Sequence, residues 1–250
     1  MSHDFRQTTQ MGGRAAEMAA IDQGLRAHML KVYNYMAIAL GVTGVVAFAF
    51  FKLAFVDTGA GLAYTQLGAT LFGSPLKWVI MLAPLGMVFF LSARINAMSV
   101  STAQMTFWGF AAIMGVSLAS IFAVYTAQSI TQVFFITAAS FAGLSLYGYT
   151  TKRSLTGMGS FLMMGLIGII IASIVNIFLA SSALGFAISV IGVLVFAGLT
   201  AYDTQKIKEM YLLSDSTAVA GKKAIMGALS LYMDFLNLFL MLLSLFGNRE

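Results

Sequence analysis

The chain has 250 residues, of which 60% are hydrophobic and only 9% are charged, and its formal net charge is +5. Because soluble domains carry about 25% charged residues, this composition excludes an ordinary soluble protein and indicates a polytopic membrane protein. The positive charge therefore predicts membrane topology and contact with anionic lipid headgroups, and we expect no nucleic-acid partner.

Residues 1–28 are predicted to form a polar tail that is disordered or lies on a surface, and residues 29–250 a transmembrane domain. Seven apolar segments in this domain are long enough to cross about 30 Å of hydrocarbon: 32–51, 78–97, 106–125, 133–150, 161–179, 184–207 and 225–246. A Gly-rich loop is expected after the first segment, and short turns at 127–131 and 180–183 join antiparallel neighbours. The predicted fold class is all-α.

Most basic residues outside the seven segments fall on one side of the predicted topology, including Lys152, Arg153, Lys222 and Lys223. Lysine and arginine are enriched in cytoplasmic loops, so this side is predicted to be cytoplasmic. The N-terminus is then cytoplasmic, and seven crossings put the C-terminus outside.

Single carboxylates interrupt the last two apolar segments, at Asp203 and Asp234. A charged residue in a spanning helix costs roughly 2.5–3.5 kcal/mol on insertion scales, so it usually has a function or a partner. At about 1.5 Å of rise per residue, Asp234 lies roughly 15 Å beyond Lys223, and Asp203 about 12 Å before Tyr211. Because one loop joins these antiparallel helices, we expect the two acids to lie side by side.

Each aspartate belongs to a stripe of small and polar residues. The stripes comprise Ser189, Gly192, Thr200 and Asp203 in the sixth segment, and Gly227, Ser230, Asp234, Asn237 and Ser244 in the seventh. The rest of the seventh segment is mostly Leu, Met and Phe, which is expected of a helix at the centre of a bundle. Facing stripes would form a narrow polar seam, in which Thr200, Ser230 and Asn237 are candidate ion-path residues.

Two adjacent carboxyl groups in a low dielectric tend to share one proton, which makes the pair a candidate pH sensor and gate. With the proton, the pair hydrogen-bonds and holds the two helices together. Without it, the carboxylates repel each other and attract a cation. Oxygen ligands suit Ca²⁺, which takes 6–8 of them. Asp203, Asp234 and Asn237 supply fewer, so we expect weak binding, as permeation requires.

Several alternatives remain open for these residues. Arg94, near the end of the second segment, either pairs with Asp203 as a latch or extends towards lipid headgroups. Asp203 can instead be solvated at a helix end, and Asp234 can be a neutral structural residue. We expect no enzyme: the Gly-x-Gly-Asp context of intramembrane aspartyl proteases is absent, and the chain has no cysteine. No tightly bound cofactor is expected.

The last two segments contain Ala-Tyr-Asp-Thr-Gln-Lys-Ile-Lys at 201–208 and Leu-Ser-Leu-Tyr-Met-Asp-Phe-Leu-Asn-Leu-Phe at 229–239. Over 198–246 the sequence resembles the Bax inhibitor-1 (transmembrane BAX inhibitor motif) family. The resemblance implies a seven-helix fold with the last helix surrounded by the other six. It also implies a pH-sensitive calcium leak protein in which aspartates matching Asp203 and Asp234 share a proton. An arginine of the second helix, matched best by Arg94, exchanges partners with them.

Resemblance to a bacterial member implies a location in the bacterial cytoplasmic (inner) membrane, with the lipid bilayer, calcium ions and protons as partners. Another branch of the family resembles modulators of a membrane-bound AAA protease that act by direct contact. For that alternative, the tail and the loop 212–223 are the candidate contact surface.

Overall fold

The computed structural model describes residues 2–59 and 61–249, with side chains described from residue 21 onward. The helices within these ranges are α1 (Ser2–Ala54), α2 (Gln66–Leu71), α3 (Leu76–Arg94), α4 (Val100–Leu118), α5 (Ala127–Thr150), α6 (Thr156–Leu179), α7 (Ser182–Glu209) and α8 (Thr217–Phe246). All except α2 are long and apolar enough to span a membrane, which gives seven candidate spans in the described residues. The predicted all-α polytopic fold is confirmed.

The connection between α1 and α3 contains a β-hairpin in addition to α2. Strand β1 (Phe55–Asp57) pairs antiparallel with β2 (Leu62–Tyr64). Gly59 and Gly61 turn the chain with φ values of 76° and 129°, which are accessible to glycine because it has no Cβ. The sequence predicted only a Gly-rich loop here, since three-residue strands are too short to show an alternating pattern.

Several helices begin earlier than the apolar segments from which they were predicted. Helix α5 starts at Ala127, so the predicted turn at 127–131 is wrong. The hydroxyl of Thr126 caps this helix by accepting from the Ser129 amide, and Ser216 caps α8 by accepting from the Val219 amide. Such caps satisfy amides that have no partner in the helix. Hydroxyl caps therefore set where these helices begin, whereas hydropathy in the sequence reveals only the part of each helix that lies within the hydrocarbon.

Helix α1 runs without interruption from Ser2 into the first span. The prediction of a disordered or surface-lying tail covers residues 1–28, of which the side chains of 1–20 lie outside the described part of the chain. Residues 21–28 are helical. His28, at the end of the predicted tail, is buried.

The seven crossings place the connections on two sides. The N-side holds the connections α3–α4, α5–α6 and α7–α8, and the C-side holds the hairpin and the end of α8. On the C-side the Thr126 amide donates to the Asn248 carbonyl at 3.0 Å, so the chain end meets the α4–α5 connection. Helix α8 therefore crosses the whole bundle and does not re-enter. The cytoplasmic location of the N-side stays a prediction.

Helix α8 is the central helix of the bundle. It packs mainly against α1, α4, α5 and α7, while α3 packs on α4 and α6 packs on α7. Tyr232, Leu231 and Leu238 of α8 are fully buried. The predicted central position of the last helix is confirmed, and the structure adds that four spans form its immediate layer while two lie outside them.

Close packing of α5 on α7 depends on Gly148, because a Cβ there would collide with the Ala201 carbonyl oxygen. We predict that Gly148→Ala lowers the free energy of unfolding by about 1–3 kcal/mol, the usual effect of overpacking. The measurement is denaturant unfolding of the detergent-solubilised protein.

The matched control is Gly143→Ala on the same helix, where an added Cβ has no heavy atom within 4 Å. Alanine favours helix over glycine by about 1 kcal/mol, so this control should be neutral or stabilising. Equal destabilisation by both substitutions would contradict the close approach of α5 and α7.

Candidate functional site

Asp203 of α7 and Asp234 of α8 are neighbours, and their carboxyl groups lie within hydrogen-bonding reach of each other. Asp234 is 5% exposed, and its Oδ2 accepts from no donor within the described residues. A buried acceptor without a partner is costly. Two ionised carboxylates are both acceptors and cannot hydrogen-bond to each other. One proton on the pair would make one of them a donor and allow a hydrogen bond at this distance.

The two carboxyl groups differ in access to solvent. Asp203 is partly buried and lies six residues before Glu209 at the N-side end of α7, whereas Asp234 is buried in the central helix. Asp203 is therefore the outer member of the pair and Asp234 the inner member. A proton or cation arriving from the N-side would meet Asp203 first.

The structure does not bring Arg94 to the aspartates. Its side chain is exposed at the end of α3, a helix that packs mainly on α4. The cation whose charge acts on Asp203 is Lys206, one helical turn further along α7. Within the described residues, one ion pair has a nitrogen–oxygen distance below 4 Å, namely Lys223–Asp215 at 2.6 Å. A latch formed by Arg94 would require another arrangement of the helices and stays a prediction.

The two stripes on α7 and α8 face each other. Near the C-side the Ser189 hydroxyl donates to the Ser244 hydroxyl at 2.9 Å. Gly192 of α7 lies against the Met241 side chain, and Gly227 of α8 lies against Ile207. From Ser189 to Asp203 helix α7 rises about 21 Å, so the seam extends over most of the hydrocarbon thickness. In this structure the Met241 and Ile207 side chains occupy the space beside the two glycines of the seam.

The candidate ion-path residues lie on these helices, and the donors of two of them are bonded within their own helix. The Thr200 hydroxyl, fully buried, donates to the Phe196 carbonyl at 2.8 Å. The Asn237 amide donates to the Met233 carbonyl at 2.8 Å. Ser230, one turn from Asp234, is partly buried. Their amide and hydroxyl oxygens remain available as acceptors, as a passing cation would require.

The candidate calcium ligands are limited to the two aspartates. Within the described residues, no cluster of three or more acidic or histidine side chains could hold a metal ion. Two carboxylates provide too few oxygens for tight binding of Ca²⁺.

A chain of hydroxyl groups next to the pair was missed by the sequence analysis. Tyr33 of α1 contacts Ser145 of α5 at 2.5 Å, and Ser145 contacts Thr204 of α7 at 2.9 Å. Thr204 in turn donates to the Thr200 carbonyl at 2.7 Å. The signal in the sequence was weak: Ser129, Thr137 and Ser145 recur every eight residues along one buried face of α5.

A second missed contact joins α1 and α4 to the central helix α8. The Thr43 hydroxyl of α1 contacts the Tyr232 hydroxyl at 2.6 Å and donates to the Ala111 carbonyl at 2.8 Å. The sequence analysis assigned Tyr232 no role. The available signal was Thr43, the single polar residue among 36–51.

Comparison with known proteins identifies relatives over nearly the whole chain. Residues 25–250 match the family described as Bax1-I, inhibitor of apoptosis-promoting Bax1. An uncharacterised protein of Rickettsia prowazekii is 49% identical over 229 residues, which cover 92% of each chain. The inner membrane protein YbhL of Escherichia coli is 47% identical over 229 residues, covering 91% of this chain and 94% of its own.

Direct contact of the aspartates predicts energetic coupling between them. Asp203→Ala and Asp234→Ala should each lower the free energy of unfolding by about 1–3 kcal/mol, because each leaves the other carboxyl without a partner. In the double variant that penalty is removed, so its change in free energy of unfolding should differ from the sum of the two single changes by about 0.5–3 kcal/mol. Denaturant unfolding of the four proteins measures this.

The control pair combines Asp203→Ala with Asp215→Ala, since Asp215 is bonded to Lys223 in the α7–α8 connection. Groups without shared partners are additive within about 0.5 kcal/mol. Additive behaviour of Asp203 and Asp234 as well would contradict a shared hydrogen bond.

Proposed function

The chain belongs to the Bax1-I family of membrane proteins, and we propose that it is a pH-sensitive calcium leak protein gated by Asp203 and Asp234. The observation that carries this proposal is the buried Asp234 carboxyl, which has the Asp203 carboxyl as its neighbour and whose Oδ2 has no donor among the described residues. The relation to the inner membrane protein YbhL supports a location in the bacterial inner membrane.

In the closed state, one proton lies between the two carboxyl groups. The resulting hydrogen bond joins α7 to α8 where each helix would otherwise bury an unpaired polar group. The Ser189–Ser244 bond joins the same helices near the C-side. Between these two contacts, Met241 fills the space beside Gly192. In the closed state the seam between α7 and α8 is thus held together by one hydrogen bond near each end.

Loss of the proton opens the seam. Two like charges a few ångströms apart in a low dielectric repel each other strongly. Asp234 is shielded from solvent where it lies, so its charge must draw in water or a cation, or the helices must separate. Because Asp203 is the more exposed member, the proton leaves and the cation enters by way of Asp203. Leak therefore increases with rising pH on the N-side.

Calcium is the substrate of this process and does not stay bound. A divalent cation neutralises both carboxylates at once, which a monovalent cation does not. The acceptor oxygens of Thr200, Ser230 and Asn237 follow along the two helices, and weak, successive sites favour passage over retention.

A second candidate function is modulation of a membrane-bound protease or another membrane complex by direct contact. One observation favours it: Leu212 and Leu213, in the α7–α8 connection, are 54% and 55% exposed. Paired apolar side chains on a polar loop suit a protein contact. Leu212→Ser with Leu213→Ser would then abolish co-purification with the partner while any calcium flux remained unchanged.

Calcium flux into proteoliposomes tests the leak directly. For the unsubstituted protein, flux should increase with pH as the coupled pair loses its proton. Asp203→Asn and Asp234→Asn should each make the flux independent of pH within about two-fold, because a single carboxyl no longer shares a proton. A calcium-sensitive dye inside the vesicles gives the rate.

Asp57→Asn is the matched control, since Asp57 is an exposed carboxylate of the C-side hairpin and accepts from the Gly59 amide at 2.8 Å. An asparagine can accept the same bond, so the pH dependence should be retained. The proposal fails if the protein carries no flux, or if the flux responds to pH equally with and without the two aspartates.

A further inference from the structure

A groove with a volume of about 1080 Å³ runs along the outside of the bundle between α1 and α5. Its floor includes Phe235 of the central helix and Phe141 of α5, both buried. Its rims include Leu30, Val45 and Leu146, which are 53%, 72% and 63% exposed. Since both walls are membrane-spanning helices with exposed apolar rims, the groove opens towards the lipid hydrocarbon.

The groove exists because α1 and α5 pack mainly on other helices, α8 among them, and meet each other at the Tyr33–Ser145 contact. Small residues widen it from both walls: Gly41 and Gly44 on α1, and Ala138 and Ala142 on α5. A Cβ added at either glycine would meet no heavy atom within 4 Å. The bundle thus leaves this space to a molecule from outside.

The two ends of the groove differ in polarity. Its N-side end is lined by Arg26, Tyr33 and Tyr149. Lys208 extends this end, because its Nζ donates to the Tyr149 carbonyl at 2.8 Å and lies 5.3 Å from the Tyr149 ring centroid. The other end, at Gly44, Val45 and Phe134, carries no charge. A cationic, hydroxyl-bearing end followed by an apolar channel complements a phosphate group followed by an acyl chain.

The length of the groove suits an acyl chain of one leaflet. From Tyr33 to Val45 helix α1 rises about 18 Å, slightly more than half of a hydrocarbon core of about 30 Å. The whole lined length, from Arg26 to Val45, is about 28 Å, which leaves the part from Arg26 to Tyr33 for a headgroup.

We propose that this groove is a binding site for one anionic phospholipid of the N-side leaflet. Its phosphate lies at Arg26 and Lys208, its glycerol region at Tyr33 and Tyr149, and an acyl chain runs over Phe141 and Phe235 towards Val45. The bound lipid fills the space between α1 and α5 and covers the Tyr33–Ser145 contact, which leads through Thr204 to α7. The site does not depend on calcium transport.

Photo-crosslinking of the full chain in phosphatidylcholine vesicles tests the site. The probe is a trace of phosphatidylglycerol with a diazirine in one acyl chain, compared with the same probe on phosphatidylcholine. Mass spectrometry of the peptides should find the phosphatidylglycerol label concentrated at 36–45 and 138–146, and excess unlabelled phosphatidylglycerol should remove it.

Two variants, each with a control, separate the acyl and headgroup parts of the site. Gly41→Leu with Ala142→Leu fills the channel and should remove the label, whereas Gly168→Leu, on the exposed face of α6 with open space around it, should not.

Arg26→Gln should lower the preference for phosphatidylglycerol over phosphatidylcholine about five-fold, which corresponds to about 1 kcal/mol for one basic residue at the membrane surface. Lys77→Gln, on the C-side, should leave it unchanged.

The proposal is overturned if the label spreads evenly over the lipid-facing helices, if the two probes label the groove equally, or if the control variants act like the groove variants. It is also overturned if a second copy of the chain or another protein helix is crosslinked in the groove and excludes the lipid probe. The positions of the label on the unsubstituted protein test the site even where a variant fails to fold.

Discussion

The contact between the Asp203 and Asp234 carboxyl groups is the constraint on which the central part of the bundle depends. Helix α8 is surrounded by four other spans, so a charge at Asp234 would be shielded from solvent. In the mechanism proposed above, a proton on Asp234 removes the charge from the inner carboxyl group and allows a hydrogen bond to the Asp203 carboxylate, which joins α7 to α8. Under that proposal, the pair that stabilises the closed bundle is also the part of it whose stability depends on proton concentration.

Most other polar groups in the interior are paired without titratable partners. Threonine hydroxyls donate to carbonyls four residues earlier, as at Thr137, Thr200 and Thr204, which satisfies them inside an apolar bundle. The contacts Tyr33–Ser145–Thr204 and Thr43–Tyr232 connect helices through hydroxyl groups. The aspartate pair is therefore surrounded by polar contacts that do not include another carboxyl group.

The outer surface of the bundle is organised by the same central helix. Because α1 and α5 both pack on α8, they leave a groove between them that faces lipid. The groove reaches Ser145, one hydrogen bond from Thr204, and Thr204 follows Asp203 in the chain. The lipid-facing groove and the aspartate pair therefore lie at the two ends of one short chain of hydroxyl contacts, which ends on α7.

The sequence by itself determined the seven spans, the central position of the last helix and the two aspartates, because hydrocarbon thickness imposes segment length and a buried charge is conspicuous in an apolar segment. It did not determine where α5 and α8 begin, since hydroxyl caps rather than hydropathy set those ends. Tertiary structure alone decided that Asp203 and Asp234 are adjacent, that Lys206 rather than Arg94 is the cation acting on Asp203, and that Thr43 meets Tyr232. The physical reason is that such contacts depend on the rotation of each helix about its axis and on which helices are neighbours, and both are settled by packing between segments distant in the chain.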